Sequence, residues 1–551
     1  FHSVWNASKQ AWVAAAETVS AKGKPTSGVK VAAAISALFG GLLTLSAHAQ
    51  NAPPANMLPT GAQVKAGQAS ISTTGANMVV QQSSSRAAIN WQSFNVGSNA
   101  QVQFQQPDAN SVTLNRVMSA DPSQIFGRIS ANGQVVLTNP AGVYFAPNAR
   151  VDVGALIATT HSISDTDFVA GKSRYERNAS TGSVVNEGEL KAALGGYIAL
   201  LAPEVRNQGA IIAQMGTVAM ASGEAVDLKF DSNNRLTSLR VDPSQIAALV
   251  DNRHAVQAPG GLVILSAQSM DRLVGGVVKN SGRIEATGMQ SDGGRIVLSG
   301  SHKVSNSGTL DASSANAQGG SISVQGADIE LNDGTRIDAT GATGGGTVLV
   351  GGNWQGSADP LLAATEQPTQ AATTVTMASG ATIDASATQQ GNGGTVVLWS
   401  DVANPSSNTS AYGHINANGG AVGGDGGQIE TSGHTLNTDG IAVHAASNGG
   451  KNGLWLLDPT YSTINAAAVT NFLTSLNGGT DVLNSATNIS WTTGVNLLKN
   501  AGGDATLTLR AGVDLAIGDT ISIASTSGKL NLLLWSGWDS SGSRGIISIG
   551  S

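Results

Sequence analysis

The chain has 551 residues and eight histidines, at positions 2, 48, 161, 254, 302, 414, 434 and 444. No two lie within five residues of each other, so no H-E-x-x-H or paired-ligand spacing exists to hold a metal. Cysteine is absent, which removes thiolate metal sites and cysteine nucleophiles. Neither a G-x-S-x-G elbow nor a phosphate-binding loop occurs. The carboxylates Glu285, Asp311, Asp338 and Asp384 recur at equivalent places in a repeat, which points to a structural role rather than to paired acid/base chemistry. Gly423-Gly424-Asp425-Gly426-Gly427 has one Asp and no iteration, unlike a calcium repeat. Asn178, Asn408 and Asn488 open N-x-S/T triplets and are candidate glycan acceptors. Asn139-Pro140-Ala141-Gly142 has the residue types of a tight turn: Asn bonds its own backbone, Pro fixes φ, and Gly accepts positive φ. The expectation is a non-enzymatic protein with no metal and no cofactor.

The elements that position these residues read as β throughout. The 69 glycines, 4% aromatic and 12% charged residues are unusual for a globular enzyme. A net charge of -7 with no basic stripe argues against nucleic acid as a partner. From Ile89 to Phe145, short alternating runs are separated by Gly, Asn and Pro, the pattern of successive strands and turns. V-x-N-x-G then recurs at Asn186, Asn207, Asn280 and Asn306. Gly-Gly-x before an apolar strand recurs at Gly195, Gly293, Gly319, Gly345, Gly393 and Gly426. The phrases around Ile284, Leu310, Ile337, Ile383 and Ile415 interleave with them. Gly293, Gly319 and Gly345 are spaced by 26 residues, a period that with no helical pattern means a solenoid. The predicted fold is all-β: a right-handed parallel β-helix whose Asn and Gly sit at left-handed turn positions.

Two stretches depart from the repeat. Residues 160–180 are densely charged and read as a surface excursion. Ala225 to Phe230 and Leu236 to Val241 read as a hairpin, followed by a short helix from Asp242, as N-cap, through Val250. A second short helix is expected from Ala466 to Leu476. At the start, Lys22, Lys24 and Lys30 precede the apolar run Val31–Leu45, and Ala47-His48-Ala49 follows. This is a secretory signal with cleavage between Ala49 and Gln50. Phe1 in place of Met predicts a few further residues upstream, and Gly550-Ser551 without a polar cap predicts further chain downstream.

The ordered set Trp91-x-Ser93-Phe94-Asn95-Val96-Gly97, Val102-x-Phe104-x-Gln106-Pro107, Ser111-Val112-x-Leu114-Asn115-Arg116-Val117, Phe126-Gly127-Arg128-Ile129 and Asn139-Pro140-Ala141-Gly142-Val143-Tyr144-Phe145 resembles a known module. It is similar to the secretion domain of two-partner-secretion exoproteins of the filamentous-haemagglutinin and high-molecular-weight-adhesin type. That family's turn is usually N-P-N-G, so Ala141 is a departure that removes one side-chain hydrogen bond. The resemblance implies an extended signal peptide over 1–49 and a secretion domain over 50–304, with extra-helical elements near 160–180 and 225–258. It further implies a β-helix shaft over 305–450 and the start of further adhesin-type repeats over 451–551.

By the same resemblance, Asn115, Arg116, Asn139, Pro140 and Gly142 form the secretion motif. A dedicated outer-membrane β-barrel transporter is the implied export partner, and a host-cell or bacterial surface receptor the implied target. The implied location is secreted or held at the outer-membrane surface. Three roles remain open at this stage: an adhesin, the stick of a contact-dependent toxin, and a haem- or haemopexin-acquisition protein.

Overall fold

The computed structural model describes residues 52–271, 275–288, 292–537 and 545–550, with the backbone of His2–Asn6 and Ala11–Ala15. The chain divides into Phe1–Asn51 and Ala52–Ser551. In the first unit, His2–Asn6 pairs antiparallel with Ala11–Ala15. The expected apolar run Val31–Leu45 and the cleavage residues Ala49 and Gln50 lie outside the described residues.

The second unit is a right-handed parallel β-helix of three-strand coils. One coil runs Arg128–Ala131, Gln134–Thr138, Val143–Phe145, and the next begins at Arg150–Val153. Equivalent strands build three long sheets. The first runs from Gln63–Ala66 to Leu530–Trp535. The second has 14 strands and ends at Ala442–His444; the third has 11 and ends at Thr435–Asn437. At the N-terminal end, Gln63–Ala66 pairs antiparallel with Arg86–Trp91, and Ala69–Thr74 pairs antiparallel with Asn77–Gln82. Register explains the repeat phrases. Val256, Ile284, Leu310, Ile337, Ile383, Ile415 and Val443 lie on one another in consecutive rungs, all buried. Fully burying such a side chain stabilises by about 1.5–3 kcal/mol. Trp91, Phe94 and Phe104 are buried in the same core, with Trp91 edge-on to Phe94 at 5.4 Å.

The structure corrects the role of the recurring Asn and Gly. None of Asn186, Asn207, Asn252, Asn280 and Asn306 has positive φ. Their side chains are buried and form a ladder. Nδ2 of each of the first four donates to Oδ1 of the next, at 2.8, 2.8, 2.7 and 2.7 Å. The ladder finishes where Asn306 Nδ2 reaches Thr335 Oγ1 at 3.3 Å. Sequence reading missed Asn252, because His254 stands where the phrase has Gly. Gly195 does take the expected left-handed turn position, with φ +76°, but Gly293, Gly319, Gly345, Gly393 and Gly426 do not, and they and the glycines that follow them serve close approach. A Cβ on Gly320 would lie 2.1 Å from the Gly294 carbonyl oxygen, and one on Gly346 would lie 2.2 Å from that of Gly320.

The long insertions leave the coil at one corner, between first-sheet and third-sheet strands. They are 160–182, 223–248 and 351–373. The first holds the helix Asp165–Val169, capped by Ser164, and the strand Arg174–Glu176. That strand pairs with the hairpin formed by Ala225–Phe230 and Leu236–Asp242. The helix expected from Asp242 to Val250 does not form. Asp242 ends a strand paired with Ala225, its carboxylate is taken by Arg174 at 2.8 Å, and Leu249–Asn252 is already a third-sheet strand. The same Asp-Pro pair does start a helix in the third insertion. There the Asp359 carboxylate is free to accept the Leu361 N–H at 2.8 Å, capping Pro360–Ala364. The insertions cover an apolar outer surface of the first sheet. Phe168, Tyr175, Leu239, Leu361 and Leu362 pack there with Val136, Ile157, Leu262, Ile264 and Val297.

The second and third sheets stop near residue 444, while the first continues. At this seam lies the helix Ala466–Asn477, close to its expected place. Its Phe472 meets Trp455 edge-on at 6.3 Å, and its Ser475 hydroxyl donates to the Val443 carbonyl at 3.0 Å. A new sheet then begins at Tyr461–Ile464 and Asn488–Trp491.

Candidate functional site

Three connections stack at the corner where the first sheet hands over to the third: residues 118–122, 139–142 and 178–182. The middle one is the Asn139-Pro140-Ala141-Gly142 turn. Asn139 is fully buried and all of its side chain is used. Its Oδ1 accepts the Ala141 N–H at 3.0 Å, and its Nδ2 donates to the Asp121 carbonyl and to Ser123 Oγ, both at 3.0 Å. The Gly142 N–H closes the turn on the Asn139 carbonyl at 3.0 Å. Gly142 has φ +130°, a conformation that favours glycine, and a Cβ there would also sit tightly against the Ser183 carbonyl oxygen at 3.1 Å. Pro140 is exposed, and Ala141 is half-buried.

Asn115 and Arg116 lie one rung earlier, in register with Leu137 and Thr138. They part ways with the turn. Asn115 is inside the coil, where it accepts the Trp91 indole N–H at 3.0 Å and donates to the Val136 carbonyl at 3.2 Å. Arg116 points outward. It donates to Asn90 at 3.2 Å and to the Ile163 carbonyl at 2.7 Å, and pairs with Asp165 at 2.8 Å. One residue therefore fixes the core beneath the corner, and the other pins the first insertion beside it.

Sequence reasoning missed Ser180, Arg177 and Glu224. The Ser180 hydroxyl donates to the Pro140 carbonyl at 2.7 Å. Arg177 holds that segment by donating to the Ser180 carbonyl at 3.1 Å, and it forks onto Glu224 at 2.9 and 3.1 Å. The Arg177 hydrogen bond holds the Glu224 carboxyl below the usual glutamate range. Arg177 was visible as part of a charged stretch, but nothing in the sequence paired it with a residue 47 positions away. Nearby, His161 is fully buried, with Nε2 3.0 Å from the Gly223 carbonyl oxygen, and burial lowers its pKa.

The other candidates are dispersed. Glu285, Asp311, Asp338 and Asp384 do stack in register on the second sheet. Arg283 binds Glu285 and, at 2.9 Å, Asp311, while Arg336 binds Asp338 at 2.9 Å. Asp311, Asp338 and Asp384 also accept backbone N–H groups two residues on, which makes them turn-formers. Among the described residues no group of three or more His, Cys, Asp or Glu could hold a metal ion. Asp425 braces its glycine loop by accepting the Lys451 N–H at 2.7 Å. Asn178 is exposed and donates to Ser162 Oγ at 2.6 Å; the hydroxyl of its own triplet is the one committed to Pro140. Asn408 and Asn488 begin strands and are half-buried.

Residues 55–312 match the family model "TPS secretion domain", and residues 1–47 match "Extended Signal Peptide of Type V secretion system". The structure is similar to the crystal structure of the HMW1 secretion domain from Haemophilus influenzae. The TM-score is 0.63 at 27% identity, covering 73% of this chain and all of that one. Two curated Haemophilus influenzae relatives are each named heme/hemopexin-binding protein. One is 33% identical over 250 residues, covering 44% of this chain and 27% of its own length. The other is 27% identical over 248 residues, covering 41% and 26%. The chain thus spans about a quarter of the length of the curated relatives it matches.

Proposed function

Because this chain is a two-partner-secretion exoprotein, exported behind an extended signal peptide and secreted through the outer membrane, we propose that its Asn139–Gly142 corner is the determinant read by a dedicated outer-membrane β-barrel transporter. The observation that carries this reading is the division of labour within the turn. Asn139 and Gly142 are consumed in shaping it, while Pro140 faces solvent on a corner locked from both sides. Such a preformed rigid feature binds with little ordering cost. Asn115 and Arg116 support the corner from the preceding rung. Co-expression with the transporter, with the culture supernatant assayed for the chain, tests the reading. Secretion that survives a reshaped turn would end it.

Outside the cell we propose a non-enzymatic adhesive rod that holds a surface receptor. The support is architectural: stacked coils whose recurring carboxylates serve as turn-formers offer an extended surface. Binding of purified protein to host or bacterial cells tests it, and no saturable binding would oppose it. A second reading, capture of haem or haemopexin, is favoured by the names of the two Haemophilus influenzae relatives. It predicts a Soret shift when the purified chain is mixed with haem, or a stable complex with haemopexin.

A further inference from the structure

Segment 351–373 reaches parts of the molecule far from its own rung, Thr347–Val350. Toward the N-terminus, Gln367 Nε2 donates to the Leu239 carbonyl at 2.6 Å, and the Ser238 hydroxyl donates to Glu366 at 3.2 Å, both across 128 positions. In the middle, Leu361 and Leu362 join the outer apolar cluster with Leu262, Ile264 and Val297, and Asp359 accepts the Ser323 hydroxyl at 2.5 Å. Toward the C-terminus, the Gln355 N–H donates to Glu430 at 2.8 Å, across 75 positions. Gln355 adopts φ +50°, a left-handed conformation that a non-glycine residue holds only when its surroundings impose it. From rung Thr217–Ser222 to rung Gln428–Gly433 there are six spacings. At ~4.8 Å each that is roughly 29 Å.

We propose that 351–373 is a closing strap that couples the rungs from Thr217–Ser222 to Gln428–Gly433 into one cooperative block, with Glu430 as its clasp. A solenoid otherwise couples only neighbouring coils, and its stability is close to a sum of local terms. A strap tied at both ends breaks that rule. Opening it uncovers Val297 and releases the hairpin strand that packs on Leu262 and Ile264, and it closes only after the rung carrying Glu430 exists. Residues past the secretion-domain match, which ends at 312, therefore finish the outer layer of coils within it.

The clasp is chemically distinctive. Glu430 is fully buried, with Oε1 accepting the Ser432 hydroxyl at 2.7 Å. Val397 and Leu456 flank it in register, the strap offers it only the Gln355 N–H, and Asp458 on the next rung faces it with Arg510 beyond. Burial, reinforced by Asp458 and opposed by the Ser432 and Gln355 donors, pushes its pKa up to about 7. The closed strap thus keeps a proton that the opened one releases. Closure is favoured at low pH and weakens as pH rises from the ordinary glutamate value through about 7.

Hydrogen exchange of the full secreted chain at pH 5 and pH 8, corrected for intrinsic rates, tests this. Leu362→Asp should accelerate exchange in 262–267 and 295–300 by about tenfold or more while leaving 134–159 unchanged. If that variant fails to fold, the double variant Gln367→Ala/Glu366→Ala removes the side-chain ties to the hairpin and should accelerate the same two strands. In the unaltered chain, 351–373 should exchange faster at pH 8 than at pH 5, and Glu430→Gln should abolish the difference. Acceleration confined to 351–373 would overturn the coupling. A pH difference that persists in Glu430→Gln would overturn the clasp.

Discussion

The Ser180 hydroxyl reaches back forty positions to donate to the Pro140 carbonyl at 2.7 Å. This bond joins the first insertion to the turn proposed as the export determinant. Ser180→Ala removes the donor and leaves a carbonyl short of a partner, a loss of about 1 kcal/mol. The expected outcome is a partial drop in secreted protein with normal synthesis, read by immunoblot of supernatant and cells.

Asn139 is more demanding. Its three side-chain bonds leave no polar atom idle, so Asn139→Ile leaves the Ala141 N–H without its acceptor, takes the 3.0 Å donor from the Asp121 carbonyl, and forces a larger group into a buried site. At about 1–3 kcal/mol for each buried group left unpaired, the turn should not keep its shape. Export should fall to background while the intracellular product remains. Wild-type amounts in the supernatant would remove Asn139 from the recognition argument.

The Arg177–Glu224 pair predicts a pH response of opposite sign to that of the strap. Glu224 has a folded-state pKa below its unfolded value, chiefly through the Arg177 hydrogen bond. Its contribution is present above the ordinary glutamate value and is lost as pH falls through the lowered one. Limited proteolysis of the 160–182 segment should therefore quicken below about pH 4.5, and Glu224→Gln should quicken it at neutral pH. An Arg177→Ala chain with unchanged cleavage at neutral pH would contradict this.

In the buried ladder, Asn252 accepts from Asn207 and donates to Asn280. Asn252→Ala breaks two rungs of bonding at once and strands an Asn207 donor and an Asn280 acceptor. A loss of about 2–4 kcal/mol is expected from two such buried groups, measured as a lowered denaturant midpoint. By the same comparison Asn306→Ala, at the end of the ladder where the next partner is Thr335, should cost less.

The strands and their inward faces were legible in the sequence because each coil repeats the same local alternation. The phrases around Ile284, Leu310, Ile337, Ile383 and Ile415 were enough to predict stacked rungs, and the motifs from Trp91 to Phe145 were enough to recognise the two-partner-secretion family. The turn-forming character of Asn139-Pro140-Ala141-Gly142 was likewise local. The reasons for conserving residue type within a coil were less accessible. Asn186 and Gly320 look like turn residues in one dimension, but one is a ladder member and the other makes room for the coil beside it.

Contacts between elements distant in sequence belonged to the tertiary structure alone. Asp242-Pro243 and Asp359-Pro360 carry the same helix-start signal, and only the second starts a helix, because Arg174 has already claimed the first carboxylate. The partners of Arg177, Gln367 and Glu430 sit 47, 128 and 75 positions away, on insertions whose register no repeat encodes. The sequence by itself determined the solenoid, through its periodic pattern, and the shape of the corner, through local turn residues, while the export class came from the resemblance of the ordered motifs between Trp91 and Phe145 to a known secretion domain. Which insertion locks the corner, and which strap closes the outer layer, was decided only when the coils stacked and brought those side chains within hydrogen-bond reach.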